Sequence, residues 1–387
     1  MEEYVQGTVA SGFEQVRTVF AENFASRGEQ GAALCVERGG ERIVDLWGGE
    51  AEPGQPFTGE TPAVLFSGTK GLVASCMLLL VERGELQLDR PVQRYWPELR
   101  PRMTVRQLLN HRSGLVALDR LPMELLSQPE ALSELLAMQE PMWRPGSAQG
   151  YGSVAGGLYN AELLRQMTGT TVGRFFASEV VGPLGLDLYI GLPKHVTPAP
   201  LVLVGRSQIL RKVLPTAMGG RGVDGRVFRA ALQPGSPTAR SVAQPPELGA
   251  RGLHNFNRRE LLELELPWAG GVGTARALAG LYGHLSCGSG PWSQRVLRPL
   301  HHRQSWARRD RVLLKPMGWS QAFIKEEPRL FSPNRESFGH PGAGGSFGFA
   351  DPTLDMSMAF VTRTMDWRLR PHRPQLLCQS IYRCLRR

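Results

Sequence analysis

The sequence predicts an α/β sheet domain assembled from both ends of the chain, with a mostly helical domain inserted between them. Three observations carry the prediction. Short apolar strands with glycine- and charge-rich turns occur near the N-terminus and again after residue 313. Ser67 to Arg83 is apolar nearly all round, as expected of a helix buried between layers. From about residue 85, helix starts and loop signals take over. On this reading the chain is one unit, with 1–66 and 275–387 forming the sheet lobe and 67–274 the helical lobe, and an irregular loop at 194–258.

Taken in order, residues 8–27 place Val9, Val16, Val19, Phe20 and Phe24 at helical spacing, and Gly28 supplies a stop. Ala32 to Val36 and Arg42 to Trp47 read as a hairpin around Glu37-Arg38-Gly39-Gly40-Glu41. Gly84 is placed to cap the buried helix, and Thr104-Val-Arg-Gln107 is a capping box ahead of Leu108-Leu109. Val154 to Thr168 and Thr171 to Val181 are helix candidates, followed by a loop signal at Gly182-Pro-Leu-Gly185. Residues 194–258 carry prolines, glycines and arginines with little periodicity. Gly270-Gly-Val-Gly273 reads as a turn before a helix at Ala275 to Leu285, because it lacks the full dinucleotide-binding pattern. Leu313 to Phe323, Ser346 to Ala350 and Met356 to Thr362 have strand character, and Gln375 to Leu385 closes the chain as a helix.

With 387 residues, 42% hydrophobic and 21% charged, the chain can bury a large core. The start Met1-Glu2-Glu3-Tyr4 has no basic and apolar leader, and the longest apolar run is too short to span a bilayer, so the expectation is a soluble cytoplasmic protein with no membrane partner. Five cysteines, without Cys-x-x-Cys spacing, predict reduced thiols rather than disulfides or a zinc site. The net charge of +10 is carried by dispersed arginines not grouped on one periodic segment, so no nucleic-acid partner is expected. His111 and His301-His302 lack paired metal ligands and read as structural, so neither a metal nor a cofactor is called for.

The chemistry starts at Ser67-Gly-Thr-Lys70, where a hydroxyl and an amine stand one helical turn apart at the head of the buried helix. Serine needs a general base within hydrogen-bond reach, and lysine can serve once burial lowers its pKa. A second candidate is Tyr151, which follows a Pro-Gly turn and small residues just ahead of a helix. A neighbouring ammonium would favour its phenolate and let it shuttle protons. The third is Phe338-Gly-His340-Pro-Gly342-Ala343-Gly-Gly345-Ser346, whose small residues permit a close backbone approach and suit an oxyanion hole. Gly344-Gly-Ser346-Phe-Gly348 also fits G-x-S-x-G, but a strand is expected after it, which argues against a nucleophile elbow.

These elements resemble, in order and over essentially the whole chain, the serine β-lactamase and penicillin-binding-protein superfamily, especially the family VIII carboxylesterases. Ser67-Gly-Thr-Lys70 is similar to S-x-x-K and Tyr151-Gly-Ser153 to the Tyr-x-Asn/Ser element, while His340-Pro-Gly342 lies where β-lactamases carry Lys-Thr-Gly. Leu108-Leu-Asn-His111-Arg-Ser-Gly-Leu115 resembles L-L-x-H-x-S-G-L, and Trp47-Gly-Gly, Tyr95-Trp-Pro97 and Gly339 to Gly345 look like the esterase branch. The resemblance implies a β-lactamase/transpeptidase-like fold of class α/β + α, a central antiparallel sheet flanked by helices with an inserted helical domain. It implies Ser67 as nucleophile, Lys70 and Tyr151 as the proton-transfer pair, and the N–H groups of Ser67 and Ala343 as the oxyanion hole. Ser153, His340 and Gly342 would contact the substrate.

The expected function is therefore hydrolysis of short-chain carboxylic esters through an acyl-enzyme on Ser67, with oligomeric state open. A β-lactamase, D-alanyl-peptide hydrolase or acyltransferase on the same fold is the alternative. A non-catalytic binding protein is another, against which Ser67, Lys70 and Tyr151 argue. His340 in place of lysine and Ser153 in place of asparagine weaken the case for a β-lactam, and any such activity is expected to improve at lower pH as His340 gains charge.

Overall fold

The computed structural model describes residues 4–249, 252–327 and 330–386. The N-terminal region supplies strands β1 (Val5–Val9), β2 (Gly31–Arg38), β3 (Glu41–Glu52) and the short β4 (Gln55–Pro56). Strands β5 (Ala63–Val64), β6 (Leu188–Ile190) and β7 (Gly271–Gly273) form a separate small sheet in the order β5-β7-β6. The C-terminal region supplies β8 (Ser305–Ala307), β9 (Met317–Ser320), β10 (Phe323–Lys325), β11 (Phe338–Pro341), β12 (Phe347–Asp351) and β13 (Met356–Thr362). The main sheet is antiparallel with ten strands in the order β1-β3-β2-β13-β12-β11-β10-β9-β8, β4 being attached to β3. The two chain ends meet where Cys35 pairs with Ala359 and Leu34 with Phe360.

Side chains alternate across a strand, and that alternation splits the core into two layers. Ala32, Leu34, Val36, Met356, Met358 and Phe360 face a layer that includes Val16 and Phe20 of α1 (Glu14–Ser26) and Leu377 and Ile381 of the closing helix His372–Cys384. Ala33, Cys35, Ala359 and Val361 face the opposite layer, with Leu278 and Leu281 of the helix Ala275–Cys287. The same second layer takes in α2 (Thr69–Glu82), in which every residue from Thr69 to Leu80 is buried. Gly84, at φ +75°, ends α2 as expected, its N–H bonding Val81 O. The capping box at Thr104 and Gln107 forms, and Ala155–Thr168 is helical.

Several expectations need correction. The predicted helix over residues 8–27 is confined to α1, because the preceding residues pair with the otherwise open edge of β3 from Val5 opposite Gly48 to Val9 opposite Val44. A partner for a whole row of backbone groups outweighs local periodicity. The hairpin strands extend further than predicted, around a turn of only Gly39-Gly40, both at positive φ. The strand over Leu313 to Phe323 is really β9 and β10, folded back at Gln321-Ala322 with φ +45° and +71°. The helix from Val172 continues through a π turn to Leu184, with Gly185 as its left-handed cap. Gly271–Gly273 is the central strand of the small sheet rather than a turn. Residues 194–258 are not an irregular loop but contain successive short helices, the longest uninterrupted stretch running from Arg206 to Gly219.

Candidate active site

Ser67 sits in a 3-10 turn, Phe66–Gly68, that leads directly into α2. The turn starts with Phe66 at φ +45°, a conformation that bulky residues rarely adopt and that depends on its surroundings. Leu65 N–H bonds Gly271 O at 2.8 Å, and the Phe66 ring packs 5.0 Å from Phe256. The Thr69 hydroxyl donates to Phe66 O at 2.5 Å and accepts from Gly271 N–H at 2.8 Å, tying the turn to β7. One turn along, Lys70 Nζ lies 3.3 Å from Ser67 Oγ and donates to Trp268 O at 3.0 Å. Lys70 is only 4% exposed, and with no carboxylate among the described residues to balance it, burial holds its amine well below the usual lysine range.

The facing wall is the segment ending in Tyr151. Gly150 N–H bonds His111 O and Gly152 N–H bonds His111 Nδ1, both at 3.0 Å, so the two neighbours of the tyrosine are anchored to one histidine. Tyr151 N–H itself donates to Asp310 Oδ1 at 3.1 Å. Asp310 is fully buried and also accepts from Val312 and Leu313 N–H, both at 2.9 Å, and from Gln149 Nε2 at 3.3 Å. The Tyr151 ring stacks on Trp319 at 5.8 Å and lies 5.1 Å from Lys70 Nζ. Burial pushes the phenol up to about 12, with the Ser67 hydroxyl beside it pulling the other way. The expected phenolate is thus disfavoured, while the lowering of Lys70 by burial runs in the direction a general base needs. His111 is likewise held neutral, at about 3, chiefly by burial.

The third wall is β11 and the turn after it. His340 pairs opposite Gly348 on β12, and the turn closes where Gly342 N–H bonds Ser346 O at 2.6 Å. A Cβ on Gly342 would stand 2.1 Å from Leu65 O, so glycine is what lets this strand meet the turn that carries Ser67. Ala343 is exposed, and among the described residues the N–H groups of Ser67 and Ala343 make no backbone hydrogen bond outside their own 3-10 turns. The Ser346 hydroxyl accepts from Thr362 N–H at 3.2 Å and β12 follows at Phe347, which leaves the G-x-S-x-G serine structural.

Behind this turn lies a buried ion pair. Arg373 of the closing helix bonds Glu29 Oε2 at 2.6 Å and also donates to Thr364 O and Gly344 O. Glu29 accepts from the Thr362 hydroxyl as well.

His340 is 1% exposed, and its Nδ1–H donates to Pro341 O at 2.9 Å, which makes Nε2 the acceptor. Burial above all holds it well below the usual histidine range, which runs against the expected gain of charge at mildly acidic pH. Ser153 is half-buried just ahead of the helix Ala155–Thr168. Ser67, Lys70, Tyr151, His340 and Gly342 are thus brought together, with Ala343 next in the chain. Sequence reasoning missed Asp310, Glu29 and Arg373. Asp310 carries a local signal, since it accepts from the N–H groups two and three residues ahead, but nothing in the sequence ties it to Tyr151.

All five cysteines are free, and among the described residues there is no cluster of three or more metal-ligating side chains. No helix among them is long and apolar enough to cross a membrane.

The family profile described as Beta-lactamase matches residues 16–378. The Esterase/beta-lactamase LipL of Mycobacterium tuberculosis (strain ATCC 25618 / H37Rv) is 28% identical over 369 residues, covering 92% of this chain and 82% of that protein. Esterase EstB of Burkholderia gladioli is 40% identical over 116 residues, covering 27% of this chain and 30% of that protein. The crystal structure of a family VIII carboxylesterase superposes with a TM-score of 0.83 at 32% identity, over 98% of this chain and 99% of that one. A penicillin-binding protein homologue from Caulobacter crescentus gives 0.80 at 30% identity, with the same coverage. With a match that spans nearly the whole length and a shared antiparallel sheet with flanking helices, the chain belongs to the β-lactamase family.

Proposed function

We propose that this protein is a serine hydrolase that cleaves small carboxylic esters through an acyl-enzyme on Ser67. The observation that carries the reading is the buried, uncompensated Lys70 amine 3.3 Å from Ser67 Oγ. As a neutral amine it offers a lone pair, and the Ser67 hydroxyl can donate to it. Oγ attacks the ester carbonyl carbon as its proton passes to Lys70 Nζ. The developing oxyanion is held by Ser67 and Ala343 N–H. Collapse breaks the bond to the alkoxy group, which leaves as the alcohol with a proton delivered through Tyr151. Water then attacks the acyl carbon, gives up a proton by the reverse route, and releases the acid and free Ser67. This cycle uses no cofactor.

Ester rather than β-lactam specificity is supported by His340. A fixed cation at that strand position would offer a substrate carboxylate a charge-assisted hydrogen bond of roughly 1.5–3 kcal/mol. A buried neutral imidazole does not. Small esters without an anionic group are then the preferred substrates, with Ser153, His340 and Gly342 contacting them. Rates over a panel of nitrophenyl esters and nitrocefin test this. Fast ester cleavage with slow or absent nitrocefin turnover is expected, and nitrocefin turnover matching the best ester at pH 7.5 would make the protein a β-lactamase.

A further inference from the structure

The helical stretch Arg206–Gly219 stands on the protein surface with an apolar stripe facing solvent. Leu210, Leu214 and Met218 recur every four residues and so share one face. They are 63%, 43% and 84% exposed, and Ile209 beside them is 41% exposed. Contiguous exposure of large apolar side chains on one face marks an interaction surface far more often than isolated exposure does. Pro215 lies inside this stretch, where a proline ordinarily breaks a helix. In the fold its missing N–H falls where a π turn, Ile209–Val213, passes into the following α turn, and the helix continues.

The charge around the stripe is one-sided. From residue 206 to 229 there are six cationic side chains, Arg206, Arg211, Lys212, Arg221, Arg226 and Arg229, against the single carboxylate Asp224. That excess of five is half of the chain's net +10. Asp224 is itself engaged, accepting from Leu369 N–H at 3.0 Å. Arg206, Arg211 and Lys212 lie on the helix and are exposed. Leucine and methionine on one side with lysine and arginine flanking them is the composition of a helix that lies in the plane of an anionic lipid surface.

The helix is also coupled to the catalytic lobe. Gln208 and Lys212 line a cavity of about 440 Å³ together with Met365, Asp366, Trp367 and Arg368. The next helix, Val223–Ala231, presents Phe228 to Trp367 at 6.3 Å. Asp366 N–H in turn bonds Gly344 O, in the turn that carries Ala343.

We propose that Arg206–Gly219 is an interfacial docking helix that binds the enzyme to anionic lipid membranes. This goes beyond the expectation of no membrane partner, and it is independent of the ester-hydrolase reading because the binding needs no turnover. The test is co-sedimentation of the full chain with sucrose-loaded vesicles of phosphatidylglycerol and phosphatidylcholine in equal parts, against phosphatidylcholine alone. Binding to the anionic vesicles is expected, weakening at least tenfold between 50 and 500 mM salt. Each cation near such a surface contributes about fivefold, so Arg211→Glu with Lys212→Glu lowers partitioning by about 25-fold or more. Leu210→Ser, Leu214→Ser and Met218→Ser together should abolish binding while leaving nitrophenyl-ester hydrolysis and the circular dichroism spectrum unchanged. Absence of binding to anionic vesicles overturns the proposal. So does equal binding to neutral vesicles, or undiminished binding by the triple serine variant. A concentration-dependent dimer that the triple variant loses, without vesicle binding, would make the stripe a contact between copies instead.

Discussion

At the head of α2, Ser67 and Lys70 are three residues apart in one turn, whereas Tyr151 beside them takes its backbone position from Asp310, 159 residues away. The first arrangement follows from helix geometry and a buried segment. The second depends on buried carboxylates and histidines whose partners are brought together only by the finished fold. The Ala343 turn is of the second kind too, resting on Arg373 and Glu29 from opposite ends of the chain. Variants on the local side should therefore remove chemistry and spare the fold, while those on the long-range side should disturb both.

The largest effect is expected at the nucleophile. Ser67→Ala removes one oxygen from a half-buried site and should lower kcat/KM by about 10⁴ or more with no loss of melting temperature. Lys70→Arg should cost about a thousandfold, since guanidinium cannot give up its proton. Lys70→Met sharpens the contrast further. Because burial lowers the folded-state pKa of Lys70, the unfolded chain binds a proton that the native state sheds, so the native lysine lowers stability at neutral pH. Lys70→Met should be inactive yet melt about 2 °C or more higher at pH 7, the difference shrinking towards pH 10. A variant that is both inactive and less stable would break the distinction.

On the long-range side, Asp310→Ala leaves the N–H groups of Tyr151, Val312 and Leu313 without their acceptor. A destabilisation of about 3 kcal/mol or more is expected in denaturant titrations, with kcat down roughly ten- to a hundredfold. Arg373→Met strands the buried Glu29 carboxylate and should cost about 3–5 kcal/mol, part of which Glu29→Gln in the same chain should restore. The smallest effect concerns pH. Ester hydrolysis should fall on acidification as Lys70 becomes protonated, and nitrocefin turnover should fall with it, because His340 stays neutral. Nitrocefin turnover that rises towards pH 5.5 would mean that His340 does gain charge.

The same division sets what could be read from the sequence. Ser67, Lys70, the cap at Gly84 and the capping box at Thr104 are local patterns, and α2 is recognisable from its unbroken apolar run. The small residues of Gly339 to Gly345 indicate a close approach, but not that Gly342 would meet Leu65 O beside the nucleophile. Thr8 and Val9 look helical because the edge of β3 that claims them is invisible in one dimension. The shifts of Tyr151 and His340 are hidden in the sequence for a related reason. Sequence suggests which groups are neighbours, whereas burial, which dominates both shifts, belongs to the assembled core.

The central claim is that Ser67, activated by a neutral Lys70, carries the acyl group. Acid quench of the enzyme during turnover of a slow nitrophenyl ester, followed by peptide mass spectrometry, tests it most directly. The acyl mass should appear on the peptide containing Ser67 and be absent from Ser67→Ala and Lys70→Arg. An adduct on the peptide containing Ser346, or one on the Ser67 peptide that persists in Lys70→Arg, would contradict it.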